Sequence, residues 1–332
     1  MIAGVTGATG FIGQLLVQGH LDNSDTVRIL IRNPVPDIPC SASAQMFTGD
    51  LIDCTSDELI PFVNGLDVLY HCAAEHTNEE QMFDLHVKGT EKLIQAATAR
   101  IGRWVQLSSV GVYGPYKEGT ITEEFLHKPN GCYEETKAKS DTLVQHAMTD
   151  HAFDAVIVQP ANVFGPTMSN QSLFQLIKSV YKGIFCYIGD REANVHYIPV
   201  ANVISGLMLC ATHTKAKGNT YILSNTTILR NFIETIARYL NKPAPKYTLP
   251  EYLVRPVAGI LEKICPFPLT TSRIDALTSR TIYSSRKIRS ELNYADVMTV
   301  EDGLRQMCDF FLQQENSKIH TTRQDGNPGH LD

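Results

Sequence analysis

Short apolar runs separated by helix-length amphipathic stretches organise this chain. Residues 2–5, 27–31, 68–70, 104–107, 155–158 and 220–223 are compact runs dominated by Val, Ile, Leu, Ala, Tyr and Trp, the signature of buried strands. Between the first two runs, Phe11, Ile12, Leu15 and Leu16 recur at the spacing of one helix face. Strand alternating with helix predicts parallel strands joined by crossovers. That is a doubly wound α/β sheet, whose ligand crevice lies beyond the carboxyl ends of its strands. The alternation loosens between 165 and 195, then resumes with a helix-like stretch at 200–211 and the run at 220–223. A larger domain is therefore expected over residues 1–164, with a returning segment at about 196–224, and a smaller C-terminal lobe over 165–195 and 225–312. Residues 252–267 are apolar with few charges, the pattern of an amphipathic cover over a pocket or of a membrane-touching helix, with cover the commoner outcome. Residues 316–332 have almost no apolar periodicity and read as a disordered tail.

The first strand runs directly into Thr6-Gly7-Ala8-Thr9-Gly10-Phe11-Ile12-Gly13. Three glycines at this spacing supply a tight turn, room for a phosphate to meet the backbone, and close packing of helix on strand. The helix that follows aims free N–H groups and its positive dipole end at an anion. A dinucleotide site is expected here, with Gly7, Thr9, Gly10, Phe11, Ile12 and Gly13 around the pyrophosphate.

At 332 residues the chain can bury a large core. A net charge of −6 without any basic block argues against nucleic acid as the main partner and points to a small-molecule substrate. The eight cysteines lack Cys-x-x-Cys spacing, which fits reduced thiols in a cytoplasmic chain better than a disulfide framework or a metal site; no metal is expected. The N-terminus starts at once with the strand, so neither a signal peptide nor a membrane span is expected.

Tyr133 and Lys137 stand four apart in a helix-compatible stretch, which puts both side chains on one face. A neighbouring ammonium favours the phenolate, so the pair can form an acid–base unit with the tyrosine pKa drawn down. Upstream, the 104–107 strand ends in Ser108-Ser109, either of which could bond a substrate oxygen.

Glycine loop, Asp50-Leu51 after the third strand, strand-end Ser-Ser, Tyr113-Gly114 and then Tyr-x-x-x-Lys, in that order over residues 1 to 310, resemble the extended short-chain dehydrogenase/reductase family. That family holds nucleotide-sugar epimerases, dehydratases and reductases and the 3β-hydroxysteroid dehydrogenases. The resemblance implies a Rossmann-type fold with a substrate-binding lobe, and a homodimer. It makes Tyr133 the general acid/base, Lys137 the residue that holds the ribose and tunes the tyrosine, and Ser109 the group that orients the reacting oxygen. Ser109 is preferred to Ser108 because it lies four residues before Tyr113. Further cofactor contacts implied are Asp50, Leu51, Cys72, Ala73, Ala74, Pro160 and Val163; substrate contacts are Ser109, Val110, Tyr133, Asn162 and His196. At the end of the second strand, Arg32 occupies the place of an acidic ribose reader, which favours NADP over NAD.

Two departures matter. His86 stands where many members carry Asn, and is expected to be a packing replacement; Gln159-Pro160 stands where sugar-nucleotide members often show Arg-Pro. Dehydratases also place acidic residues directly after the active-site Ser or Thr, whereas Val110 and Gly111 follow Ser109, so dehydration ranks low. The expected function is NAD(P)-dependent oxidation, reduction or epimerisation at C4 of a nucleotide-activated hexose, UDP-linked. A 3β-hydroxysteroid or dihydroflavonol-type oxidoreductase is the alternative. A non-catalytic NADP sensor is the alternative of another class, disfavoured because a sensor needs none of Ser109, Tyr133 and Lys137.

Overall fold

The computed structural model describes residues 1–33, 43–150, 152–264 and 270–324. Cys40, Cys265, Phe267 and residues 325–332 lie outside the described residues. The chain divides into two compact units, Met1–Val163 with Val200–Asn225 and Thr281–Val297, and Phe164–Pro199 with Thr226–Arg280 and Met298–Asp332.

The first unit is built on a seven-stranded sheet. Its strands, in spatial order, are Thr220–Leu223, Asp154–Pro160, Ile101–Leu107, Leu66–His71, Ile2–Thr6, Thr26–Ile31 and Gln45–Thr48. Every neighbouring pair is parallel, so the expected doubly wound α/β sheet is what the chain forms. Order reverses beside the first strand, with Val5 opposite Ile29 on one side and Tyr70 on the other. The carboxyl end of that strand is therefore a switch point, where two loops diverge and leave a crevice. Central strands are buried on both faces, which is why they read as continuous apolar runs. Trp104 is fully buried and stacks on Phe153 at 5.2 Å.

Residues 281–297, assigned by sequence to the smaller lobe, belong to the first unit. Hydrogen bonds explain it: Ser284 N–H donates to Ile121 O, Thr281 Oγ1 donates to Tyr116 O, and Tyr294 OH donates to Asn202 O. Such partners, distant in sequence, carry no local signal.

The second unit pairs the strand Asn194–Pro199 antiparallel with Thr226–Ile228. Its helices pack through aromatic contacts, Phe174 on Phe310 and Tyr181 on Phe311. The helix Val300–Gln324 continues past residue 316, where a disordered tail is expected. Buried Leu304, Met307, Cys308 and Phe311 anchor its first turns, and each added residue extends the ladder at the low cost of propagation. The expected amphipathic helix forms at Glu251–Ile264. Ala258 is buried, packed with Ile188 and Ile274, while Tyr252, Leu253, Val257 and Ile260 are exposed. Among the described residues no helix is long and apolar enough to cross a membrane.

Candidate active site

The glycine loop has the geometry of a phosphate cradle. Gly7 has φ +66°, and a Cβ there would lie 2.7 Å from the backbone of Cys72 and Ala73, so the loop rests directly on the end of the neighbouring strand. A Cβ on Gly13 would fall 2.1 Å from Gly7 O, which only glycine avoids. Gly10 caps the helix Phe11–Asp22 and makes no side-chain cap hydrogen bond to its first-turn N–H groups. Free donors, positive dipole and absent Cβ atoms fit a dinucleotide pyrophosphate.

A buried hydrogen-bond chain braces this loop from below. Thr6 Oγ1 accepts the Ala73 N–H and meets His71 Nδ1 at 2.8 Å; His71 Nε2 meets Thr90 Oγ1 at 2.9 Å. Thr90 donates to His86 O and meets Ser140 Oγ at 3.0 Å, Gln106 Nε2 donates to Ser140, and Trp104 Nε1 donates to Gln106 Oε1. The Thr90 hydroxyl spends its proton on His86 O, so His71 must carry its proton on Nε2 and accept from Thr6. Burial holds His71 neutral, its pKa lowered to about 3.

Tyr133 and Lys137 lie on the helix Cys132–Thr149. Lys137 is 3 % exposed, and its ammonium donates to Leu107 O at the end of the Ile101–Leu107 strand. Burial lowers its pKa, and Asp141, one turn further on, opposes that shift. Asp141 is fully buried, accepting from Ser108 Oγ at 2.5 Å and Gln159 Nε2 at 3.3 Å. Burial raises the Asp141 carboxyl to about 6, with Lys137 pulling the other way. Ser108 is thereby committed to the helix, which leaves Ser109 as the serine available to a ligand. Asp141 escaped the sequence reading, although its place four residues past Lys137 on the same helix face could have signalled it.

Ser109 is half-buried and caps the short 3-10 turn Val110–Tyr113, its Oγ accepting the Gly111 N–H at 3.1 Å. That bond uses a lone pair and leaves the hydroxyl proton free to donate. Tyr113 is buried and donates to Gln159 Oε1 at 2.6 Å, while Gly114 takes φ +87° where a Cβ would strike Lys128 O. The Tyr-Gly pair thus shapes the loop behind Ser109, and Gln159 is a buried strut within the sheet.

Tyr133 is half-buried between two imidazoles, His76 at 4.8 Å and His86 edge-on at 5.7 Å. The expected lowering of its pKa is not found: burial pushes the phenol upward, and the Glu134 and Asp141 carboxylates add to that. Lys137 is turned to Leu107 O, so its charge does not offset burial. His86 is more than a packing replacement. Its Nε2 accepts the Glu75 N–H at 2.8 Å and its Nδ1 meets Thr136 Oγ1 at 2.8 Å, tying the loop after the Leu66–His71 strand to the tyrosine helix. Thr136 donates onward to Cys132 O, so Nδ1–H is the donor and the ring is neutral; burial lowers its pKa to about 3. The imidazole sits in a widened π-helical turn, Asp84–Gly89, a local form that often marks functional sites.

Other expected contacts lie at strand ends of the first unit. Cys72, Ala73 and Ala74 follow Leu66–His71, Pro160 ends its strand, and Asn162 and Val163 lie just beyond. Val110 is buried, and Arg32 is exposed at the end of Thr26–Ile31. Asp50 Oδ1 accepts the Ile52 N–H, shaping the loop that presents Leu51 to Gly89. His196 lies in the second unit, with Nδ1 3.1 Å from Thr226 Oγ1.

The NAD dependent epimerase/dehydratase family matches residues 3–224. Among characterised relatives, mouse (Mus musculus) sterol-4-alpha-carboxylate 3-dehydrogenase, decarboxylating, is 27% identical over 92% of this chain and 90% of its own length. UDP-glucose 4-epimerase of Vibrio cholerae is 23% identical over 94% of this chain and 96% of its own. In fold, the chain is similar to gox2253 at TM-score 0.76, with 25% identity over 94% of this chain and 98% of that one. It is similar also to UDP-glucuronic acid 4-epimerase from Bacillus cereus, solved in complex with NAD, at TM-score 0.73 and 21% identity over 95% and 99%. With a family match over two-thirds of its length, on the sheet and loops just described, the chain is an enzyme that belongs to the NAD-dependent epimerase/dehydratase family.

Proposed function

We propose that the enzyme transfers hydride at a secondary carbinol or carbonyl carbon, with Tyr133, Lys137 and Ser109 as its proton and positioning groups. The observation that carries this reading is the division of labour between the paired serines. Ser108 is bonded to Asp141, while Ser109 keeps a free hydroxyl proton on the loop that the tyrosine helix packs against.

The glycine cradle, Asp50 and Leu51 would hold a nicotinamide dinucleotide, whose bound ring supplies the hydride acceptor or donor. Ser109 donates to the reacting oxygen and fixes its orientation. Tyr133 takes the proton as an alcohol becomes a carbonyl and returns it in reduction. Lys137, buried against Leu107 O, places positive charge under the site. Arg32 would read a 2′-phosphate, which favours NADP over NAD. In this reading the chain pairs with a second copy of itself as a homodimer.

For substrate, the segments around Asn162 and His196 support a UDP-linked hexose reacting at C4, as does similarity to the Vibrio epimerase. A second reading, a 3β-hydroxysteroid, is favoured by the mouse relative, whose identity is the higher of the two. The test is incubation with each nicotinamide cofactor and a panel of UDP- and dTDP-hexoses and 3β-hydroxysteroids, following nicotinamide absorbance and product identity together. Sugar inversion without net cofactor change means an epimerase, and stoichiometric cofactor change means a dehydrogenase or reductase. Near-normal turnover by Tyr133→Phe on the accepted substrate would refute the catalytic assignment.

A further inference from the structure

We infer that Glu134 is a second proton-transfer group of this site, acting on the carbon next to the one that exchanges hydride. The inference rests on the functional reading above and adds a reaction class to it. Glu134 follows Tyr133 in the first turn of the helix Cys132–Thr149. Its Oε1 and the Ser109 Oγ lie 3.6 and 3.4 Å from one point, the position a Cβ would take on Gly111. Its Cγ lies 2.9 Å from that same point, and its Oε2 lies 2.6 Å from the Cβ position of Gly131. A side chain at either glycine would displace the carboxylate, so both backbones leave space that Glu134 fills. Gly131 does so at φ +121°, a conformation other residues rarely adopt.

An acid in a first helical turn ordinarily serves the helix dipole. Glu135, exposed on the same turn, already supplies that benefit. Glu134 is instead half-buried beside Tyr133, where its charge opposes ionisation of the phenol. A carboxylate held against the proton-transfer residue, at a cost to that residue, and within reach of the serine that holds the substrate oxygen, is placed for chemistry at the neighbouring atom. Val110 and Gly111 leave the position directly after Ser109 without an acid; Glu134 brings one to the space above Gly111 from the helix instead.

The step balances without a further reagent. A bound nicotinamide would supply the acceptor for the carbinol hydride, and Tyr133 takes the hydroxyl proton as the carbonyl forms. The new carbonyl acidifies the adjacent C–H. Glu134 takes that proton, the C–H electron pair forms a C=C bond, and the carbonyl π pair moves to oxygen. The resulting oxyanion accepts hydrogen bonds from the Ser109 and Tyr133 hydroxyls. Protonated Glu134 then returns a proton to the same carbon, or to the far end of a conjugated double bond where the substrate has one. The outcome is exchange of the adjacent hydrogen with solvent, or migration of a double bond.

The test uses the full chain with NAD or NADP in ²H₂O and, as probes, UDP-glucose, UDP-glucuronic acid and a 3β-hydroxysteroid with a 5,6 double bond. Nicotinamide absorbance reports hydride transfer, and mass spectrometry reports deuterium at the adjacent carbon. Wild type is expected to incorporate deuterium. Glu134→Gln should lower the ratio of incorporation to hydride transfer by about 100-fold, the scale of a general base. Glu134→Asp restores part of it if the carboxylate is the agent, and Glu135→Gln changes neither quantity. Hydride transfer without deuterium in wild type, or an unchanged ratio in Glu134→Gln, overturns the inference. Absence of hydride transfer from every probe and every panel compound overturns the functional reading and, with it, this extension.

Discussion

The Ser108 hydroxyl donates to the buried Asp141 carboxylate at 2.5 Å, joining the end of the Ile101–Leu107 strand to the helix that carries Tyr133 and Lys137. The two adjacent serines should therefore fail differently. Ser108→Ala removes a donor from a buried carboxylate and is expected to cost about 1–3 kcal/mol of stability. Ser109→Ala loses only the cap on the Gly111 N–H, so it should cost about 1 kcal/mol of stability or less and lower kcat by about 100-fold. Thermal unfolding and steady-state kinetics on both variants check this, and equal loss of kcat would remove the distinction.

Arg32→Asp replaces a cation by an acid at the exposed end of Thr26–Ile31. The ratio of NADP to NAD affinity should fall by about tenfold or more, the scale of one charge-assisted hydrogen bond. Isothermal titration with both cofactors measures it directly; an unchanged ratio means that Arg32 does not read the 2′-phosphate.

Gly13→Ala puts a methyl group 2.1 Å from Gly7 O. The loop must open, so cofactor affinity should fall by at least about tenfold, with about 1–3 kcal/mol of strain. Quenching of reduced-nicotinamide fluorescence reads the affinity. Wild-type affinity would mean that the cradle is not the pyrophosphate site.

His86 supplies a pH signature. Its folded pKa is depressed to about 3 from an ordinary 6.5, so the unfolded chain takes up a proton that the folded one refuses. The stabilisation is present above pH 6.5 and is lost as pH falls toward 3. At pH 5 the wild type should have lost about 2 kcal/mol relative to pH 7 through this residue. His86→Asn keeps the polar bridge to Glu75 and lacks the titration, so its denaturation midpoint should fall less over that interval. Parallel curves for the two proteins would contradict the neutral bridging role.

The strands and the glycine loop were legible because their signals are local. Buried parallel strands read as apolar runs, and the turn at Gly7 can be made by few other residues. Tyr133, Lys137 and Ser109 could be nominated from spacing and resemblance. Asp141 stands four residues past Lys137 and could have been added by the same spacing, but Glu134 and His76 could not be singled out, since their proximity to Tyr133 arises only once helix and loop converge. The same limit explains the misplaced 281–297 segment, whose partners Tyr116, Ile121 and Asn202 lie far away in sequence. The expected fall in the Tyr133 pKa failed for another reason. A four-residue spacing says that two side chains share a face, but not that the ammonium points toward the phenol.

The buried chain from Thr6 through His71, Thr90, Ser140 and Gln106 to Trp104 has a consequence for how this enzyme can diversify. Donation runs inward from both ends to Thr90, whose own proton goes to His86 O, so replacing a member leaves a buried neighbour without its partner. A single substitution within the chain therefore carries the cost of an unsatisfied buried polar group, which makes piecemeal change of the platform under the glycine loop and the tyrosine helix expensive. Novelty in what the enzyme accepts has to arise at positions outside this frozen circuit, on loops whose side chains owe nothing to it.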